Sequence, residues 1–232
     1  MAKFAFALPE LPGKDARSVP AYCQANMNAY RASRKRAGIT MERAYLMPSP
    51  MGNMAIGYLE VAGTFAGTMA GFLDGDAFDK GFLDKLREVH GLDTSEPAPE
   101  PELVGDWQDT EVWTRKRGLA FVVPLKPGQA DAGRTFAKAA FETRRAEMTA
   151  SRRSIGESHE SVFLNATPAG EMICVYLEGN DPAQGNKDFA ASHAAFDSWF
   201  KDQCSKIFID GVDFNVPLPP IAQIWDWQAA AH

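Results

Sequence analysis

Two sets of acid and tyrosine side chains recur in this sequence: Glu42, Tyr58 and Glu60, and again Glu160, Tyr176 and Glu178. Each set lies on two short apolar runs joined by a turn containing proline and glycine, the pattern of a β-hairpin. With Pro50-Met51-Gly52 as the tip, residues whose numbers sum to about 102 face each other across the ladder. Glu42 then opposes Glu60, and in the second hairpin Glu160 opposes Glu178. Opposed side chains on one sheet face have Cβ atoms roughly 4.5–5.5 Å apart. Two carboxyls that close share a proton, and beside a tyrosine donor the pair can serve general acid–base catalysis. The same groups have a structural reading. Arg34 and Arg152 end the helices that reach the open ends of the hairpins, where a guanidinium clamp would neutralise the glutamates. Alternation sets Ile56, Tyr58 and Glu60, with Cys174, Tyr176 and Glu178, on one face, and Ala55, Gly57 and Leu59, with Ile173, Val175 and Leu177, beneath helices. A slip of one residue would exchange the faces.

Trp107 and Trp227, with Trp225 beside the latter, offer a flat apolar wall for a ring-shaped ligand, but core packing is the favoured reading, since large aromatics dominate core burial. Asp106 and Asp226 fall on the opposite face and are expected to cap a neighbouring helix or loop. His193 follows Phe189 by four residues and precedes Phe196 by three, which puts it on an apolar helical stripe as a core residue, with an axial haem ligand as a distant alternative. His159 adjoins Glu160 but points to the other strand face, while His90 and His232 sit at a helix end and the chain terminus. No histidines have i, i+4 spacing and no Cys-x-x-Cys occurs, so neither a metal site nor a bound cofactor is expected. The stretch Gly179 to Lys187 lacks the spacing of a phosphate loop, and no Gly-x-Ser-x-Gly is present. The basic run Arg31 to Arg36 complements a helix C-terminus.

These residues belong to a tandem repeat. Ser33-Arg34, Gly38, Glu42, Leu46, Pro50, Gly52 and Tyr58-Leu59-Glu60 return in order as Ser151-Arg152, Gly156, Glu160, Leu164, Pro168, Gly170 and Tyr176-Leu177-Glu178, and Asp106-Trp107-Gln108 returns as Asp226-Trp227-Gln228. A repeat of this kind governs every later reading of the fold. Each copy opens with an alternating run, Phe4–Leu8 or Leu119–Val123, which reads as a strand. A long helical pattern follows, Ala16–Ala37 or Ala130–Ser154, stopped by Gly38 or Gly156. The hairpin comes next, then a second helix, which in the second copy has Asp181 as N-cap and Pro182 at its first position. A last strand carries the Asp-Trp-Gln tripeptide. The proline-rich stretch Thr94–Pro101 has a counterpart in Phe214–Pro220, so it is a connection within each copy. The unmatched stretch Asp109–Gly118 is the junction, and the units are expected at 1–112 and 113–232.

The order β-α-β-β-α-β is that of a ferredoxin-like unit, an α+β fold. Two such units in one chain resemble the dimeric α/β-barrel superfamily, and the Tyr-Leu-Glu strand ends, the Phe-Asp helix and the Asp-Trp tails are similar to those of uncharacterised bacterial members. The resemblance implies an intramolecular barrel of two four-stranded sheets with outer helices and a cavity between the sheets. It covers cofactor-free monooxygenases, lactone isomerases, haem-binding enzymes and decarboxylases, so it selects no single chemistry.

A net charge of −6 in 232 residues gives no footprint for nucleic acid. No run nears the ~18 apolar residues needed to span a bilayer. Three scattered cysteines suit a reducing, cytoplasmic setting. Two functional expectations follow. One is a small-molecule binder or cofactor-free enzyme, monooxygenase- or isomerase-like, with Glu60 or Glu178 as base, Tyr58 or Tyr176 as donor and the tryptophans as wall. The other is a non-catalytic interaction module whose glutamates only hold the sheet ends. A cavity above about 300 Å³ lined by these residues would favour the first. Chemistry is expected to favour the second copy, through Glu160, Tyr176 and Glu178, because only that copy carries His159, Cys174 and His193. Further self-association of the chain is left open.

Overall fold

The computed structural model describes residues 1–50, 52–93, 99–111 and 117–229. The hairpin-tip residue Met51, residues 94–98 of the proline-rich connection, residues 112–116 with the boundary expected at 113, and the terminal His232 lie outside the described residues. The first copy contains β1 (Ala2–Pro9), α1 (Ser18–Ala25), α2 (Met27–Arg36), β2 (Ile39–Ser49), β3 (Gly52–Val61), α3 (Phe65–Leu73), α4 (Ala77–His90) and β4 (Glu102–Gln108). The second contains β5 (Arg117–Pro124), α5 (Ala130–Lys138), a π-helical turn Ala139–Thr143, α6 (Arg145–Ser154), β6 (Glu157–Thr167), β7 (Gly170–Gly179), α7 (Pro182–Ala191), α8 (Ala195–Ile207) and β8 (Ala222–Gln228). Among the described residues no helix is long and apolar enough to cross a membrane.

The strands form two antiparallel four-stranded sheets, ordered β1-β3-β2-β8 and β4-β6-β7-β5. The chain divides into two compact units, Met1–Glu100 with Ala222–His232, and Pro101–Ile221. Units in space and repeats in sequence therefore differ by one strand: β4, which closes the first repeat, pairs with β6, and β8, which closes the second, pairs with β2. Each first helix is interrupted where one long helix was expected. Asn26 at φ −125° separates α1 from α2, and the π-helical turn separates α5 from α6 within the stretch where the second copy is longer. Gly38 and Gly156, at φ +70° and +76°, end α2 and α6 in the left-handed conformation that favours glycine and turn the chain into the hairpins. Asp181 caps α7 by accepting from Gln184 N at 3.1 Å.

The hairpin register differs from expectation by one residue. Thr167 pairs with Gly170 and Ser49 with Gly52, so two residues rather than three separate the strands. Glu42 then lies across from Leu59 and Glu160 from Leu177, while Glu60 faces Met41 and Glu178 faces His159. Neither expected cross-strand pair, Glu42 with Glu60 or Glu160 with Glu178, forms, because a two-residue turn moves β2 and β6 by one place and exchanges their faces.

Candidate functional site

Helix and sheet meet in both units around an arginine–glutamate clamp. In unit 1, Arg34 Nε donates to Glu42 Oε2 at 2.6 Å and Nη2 to Oε1 at 3.0 Å. The guanidinium is sandwiched by Tyr30, Phe72 and Phe82 at 4.3–4.9 Å. In unit 2, Arg152 Nε donates to Glu160 Oε2 at 2.5 Å, with Phe189 and Phe200 over the guanidinium. The expected arginine clamps thus exist, but they hold Glu42 and Glu160 on the helix side and leave Glu60 and Glu178 on the other face. Trp107 is buried, and Trp225 and Trp227 are half-buried against the unit 1 core. Trp225 Nε1 donates to Tyr30 Oη at 2.8 Å, Trp227 packs edge-on against the same ring, and Trp107 Nε1 donates to Thr149 Oγ1 at 2.9 Å. The one-residue slip brings them there, since Trp227 pairs with Glu42 and Trp107 with Glu160.

On the helix-free faces, Tyr58 Oη donates to Glu60 Oε1 at 2.9 Å and Tyr176 Oη to Glu178 Oε1 at 2.6 Å, all four residues buried. Asp226 and Asp106 join these faces rather than capping helices. Asp226 pairs with Arg43 at 3.0 Å. Asp106 accepts from Ser161 Oγ at 2.7 Å, and both approach His159 Nε2, at 3.2 and 2.8 Å, with the Tyr176 ring edge-on to the imidazole. These three types are those of a nucleophilic triad, yet the geometry differs. In a triad the acid binds the nitrogen remote from the serine, whereas here serine and aspartate meet the same nitrogen and the serine proton is committed to the aspartate. His193 is exposed in the break between α7 and α8, not in the core.

The feature that sequence reasoning missed is Glu157. A bulge at the start of β6 lets Glu157 and Glu160, three residues apart, share the helix face; regular alternation would have separated them. The carboxyl lines a cavity of about 70 Å³ between the unit 2 sheet and its helices, walled by Phe121, Phe136, Phe141, Val175 and Phe200 with Arg152 and Glu160 at one end. At roughly 10–15 Å³ per water-sized sphere this is room for several. The cavity lies below the 300 Å³ mark and its wall includes none of the tyrosines or tryptophans put forward for it. Arg152 Nε is 3.5 Å from Glu157 Oε2, and that oxygen has no hydrogen-bond partner among the described residues. Burial pushes the Glu157 carboxyl up to about 8, opposed by Arg152 and reinforced by Glu160 and Asp197. The helix α7 approaches closely enough to seal this end because Gly185 has no side chain: a Cβ there would lie 3.0 Å from Ile155 O and 3.6 Å from Glu157 Oε1.

Comparison of the copies explains why the cavity is in unit 2. Where unit 1 has Trp225, Tyr30 and Ile39, the matched residues are Gly105, Met148 and Glu157. Gly105 leaves space that Phe141, on the π-helical turn, enters; a Cβ on Gly105 would lie 2.7 Å from that ring. Helical irregularities of this type often accompany functional sites. Both signals were present in the sequence, as an acid at a position matched by isoleucine and as three extra residues in the second helix pattern. Cys204 also lines the cavity, and burial pushes its thiol up, away from thiolate chemistry. Among the described residues no group of three or more His, Cys, Asp or Glu side chains could hold a metal ion.

No family model matches this chain. No curated protein matches it either. Solved structures of the same fold do. An anthrone oxidase-like protein superimposes with a TM-score of 0.56 at 9% identity, covering 99% of this chain and 96% of that one. A Lactobacillus acidophilus NCFM protein described provisionally as a monooxygenase gives 0.52 at 10% identity, covering 99% and 100%. A protein from Fusobacterium nucleatum subsp. nucleatum ATCC 25586, described in the same terms, gives 0.50 at 12% identity over 98% and 97%. The likeness runs the length of both chains and is one of fold.

Proposed function

We propose that the chain binds a small ring compound in the unit 2 cavity, whose walls must part beyond its 70 Å³ to admit it, and oxidises it without a resident cofactor, as a monooxygenase-like enzyme. The observation that carries this reading is Glu157, a buried carboxyl on the wall of a mostly apolar cavity, at a position where the first copy has Ile39. A carboxyl held near neutrality exchanges a proton with a bound molecule at the pH where enzymes work. Donated to a ligand carbonyl oxygen, that proton promotes enolisation, in which an adjacent CH₂ group releases a proton to water and the Glu157 carboxylate takes one back. The electron-rich enol then reduces dioxygen; one oxygen atom forms a new carbonyl and the other leaves as water, so that R₂CH₂ and O₂ give R₂C=O and H₂O. The monooxygenase and anthrone oxidase-like names of three proteins with this fold support the chemistry. The helix-free face of unit 2 supplies a second place for proton transfer, because Tyr176, Glu178 and His159 are buried together there.

The test is oxygen uptake by the full chain with 2-indanone, whose CH₂ groups adjoin its carbonyl, read alongside formation of the diketone product. Uptake should depend on the protein and fall by about a hundredfold in Glu157→Leu, the usual worth of a positioned acid or base. If Tyr176→Phe falls that far and Glu157→Leu does not, the working site is the helix-free face. Binding without oxygen uptake would leave a non-catalytic ligand-binding module.

A further inference from the structure

The charges around the unit 2 cavity restrict what it can hold. Arg152 faces two carboxyl groups, and its Nε is 2.5 Å from Glu160 but 3.5 Å from Glu157. Asp197 accepts from Ser151 and Ser192 at 2.5 Å, and Lys201 Nζ donates to the carbonyls of Ala190 and Ser192 at 2.8 Å. Glu160 therefore takes the short bond to Arg152, as Glu42 does to Arg34 in unit 1, and Glu157 is left as the more distant partner of the same guanidinium.

We infer that the cavity takes an uncharged ring compound that presents a hydrogen-bond acceptor, a carbonyl oxygen above all, to Glu157 as donor. This rests on the cavity being the ligand site. An ammonium ligand would find a carboxyl, but it would bring a further ion into a wall of phenylalanines, at a penalty of several kcal/mol. A carboxylate or phosphate would bring a second anion close to Glu160 and into the same apolar wall, where like charges repel and burial of an ion carries the same penalty. A neutral acceptor adds no charge and gives a hydrogen-bond partner to a buried carboxyl whose Oε2 otherwise has only the 3.5 Å approach of Arg152. Burial, which keeps the proton on Glu157 at neutral pH, makes the carboxyl a donor.

Four probes of one size separate the possibilities: acetophenone, ethylbenzene, 1-phenylethylamine and benzoate, titrated calorimetrically into the full chain at pH 6.5. Acetophenone should bind about tenfold tighter than ethylbenzene, the worth of one hydrogen bond to an otherwise unpaired buried group, with the two charged probes weaker than both. Glu157→Leu should bring acetophenone and ethylbenzene within about threefold of each other. Glu157→Gln, whose amide still donates, should retain the preference and guards against a folding defect in the leucine variant. Tighter binding of the amine or of benzoate, or equal binding of acetophenone and ethylbenzene to the wild-type chain, would overturn the inference while leaving the cavity as a ligand site. Failure of ethylbenzene and acetophenone alike would remove the cavity reading and this inference with it.

Discussion

Replacing Glu157 with glutamine should change how stability depends on pH. The carboxyl titrates near 8 in the folded chain, against a reference of 4.5. Between those values the folded state binds more protons than the unfolded state, so stability falls as pH rises. The contribution of Glu157 is thus fully present below 4.5 and lost as pH climbs through 8. One pKa unit corresponds to about 1.4 kcal/mol, so from pH 5 to pH 7 the wild-type chain should lose roughly 2–3 kcal/mol through this group. Glutamine has nearly the same volume and does not titrate. All other titrating groups are common to both proteins and cancel in the comparison. At 2–4 °C per kcal/mol for a chain of this size, the Tm of Glu157→Gln relative to wild type should rise by roughly 5–10 °C between pH 5 and pH 7. Calorimetric scans at pH 5, 6 and 7 measure that gap. A gap that stays constant would show that Glu157 is ionised in the fold, with Arg152 serving both glutamates, and would refute the proton-holding argument.

Arg34→Met should cost about 3–5 kcal/mol, because it strips a buried guanidinium from Glu42; adding Glu42→Gln should recover much of the loss in urea unfolding, and a single-mutant loss under about 1 kcal/mol would contradict the clamp. Tyr58→Phe and Tyr176→Phe should each lose about 1–2 kcal/mol through the missing donor to Glu60 or Glu178, measured the same way. Gly105→Trp installs the residue that fills this place in unit 1; it should destabilise by about 1–3 kcal/mol through overpacking against Phe141 and abolish acetophenone binding, so undiminished binding would count against the cavity. Residues 1–112 expressed alone lack β8 and expose the edge of β2, so they should self-associate through β4; a soluble monomer by gel filtration with native circular dichroism would contradict the strand pairing.

Much of the fold was legible because duplication states each local rule twice. The glycine stops Gly38 and Gly156, the proline-initiated α7 and the alternation of Tyr58-Leu59-Glu60 are all local decisions of backbone sterics, and the structure follows them. The site was legible in part. Arg34 and Arg152 were named with the right kind of partner, since a guanidinium at a helix end beside a buried glutamate has little else to bind. Which glutamate each would hold was not, because strand period is two and the turn length that sets register is decided by how the whole hairpin seats on its neighbours. Of the two readings of the tryptophans, core packing is the one the structure follows, with Trp107 buried and Trp225 and Trp227 half-buried against the core. That β4 and β8 pair outside their own repeats is likewise a tertiary matter, as both strands carry the same Asp-Trp-Gln signal and only edge pairing tells them apart. Glu157 shows the division most sharply: the sequence alone marks an acid where its twin has isoleucine, but the bulge that turns it to the helix side and the burial that keeps its proton exist only once the sheet and its helices have closed around it.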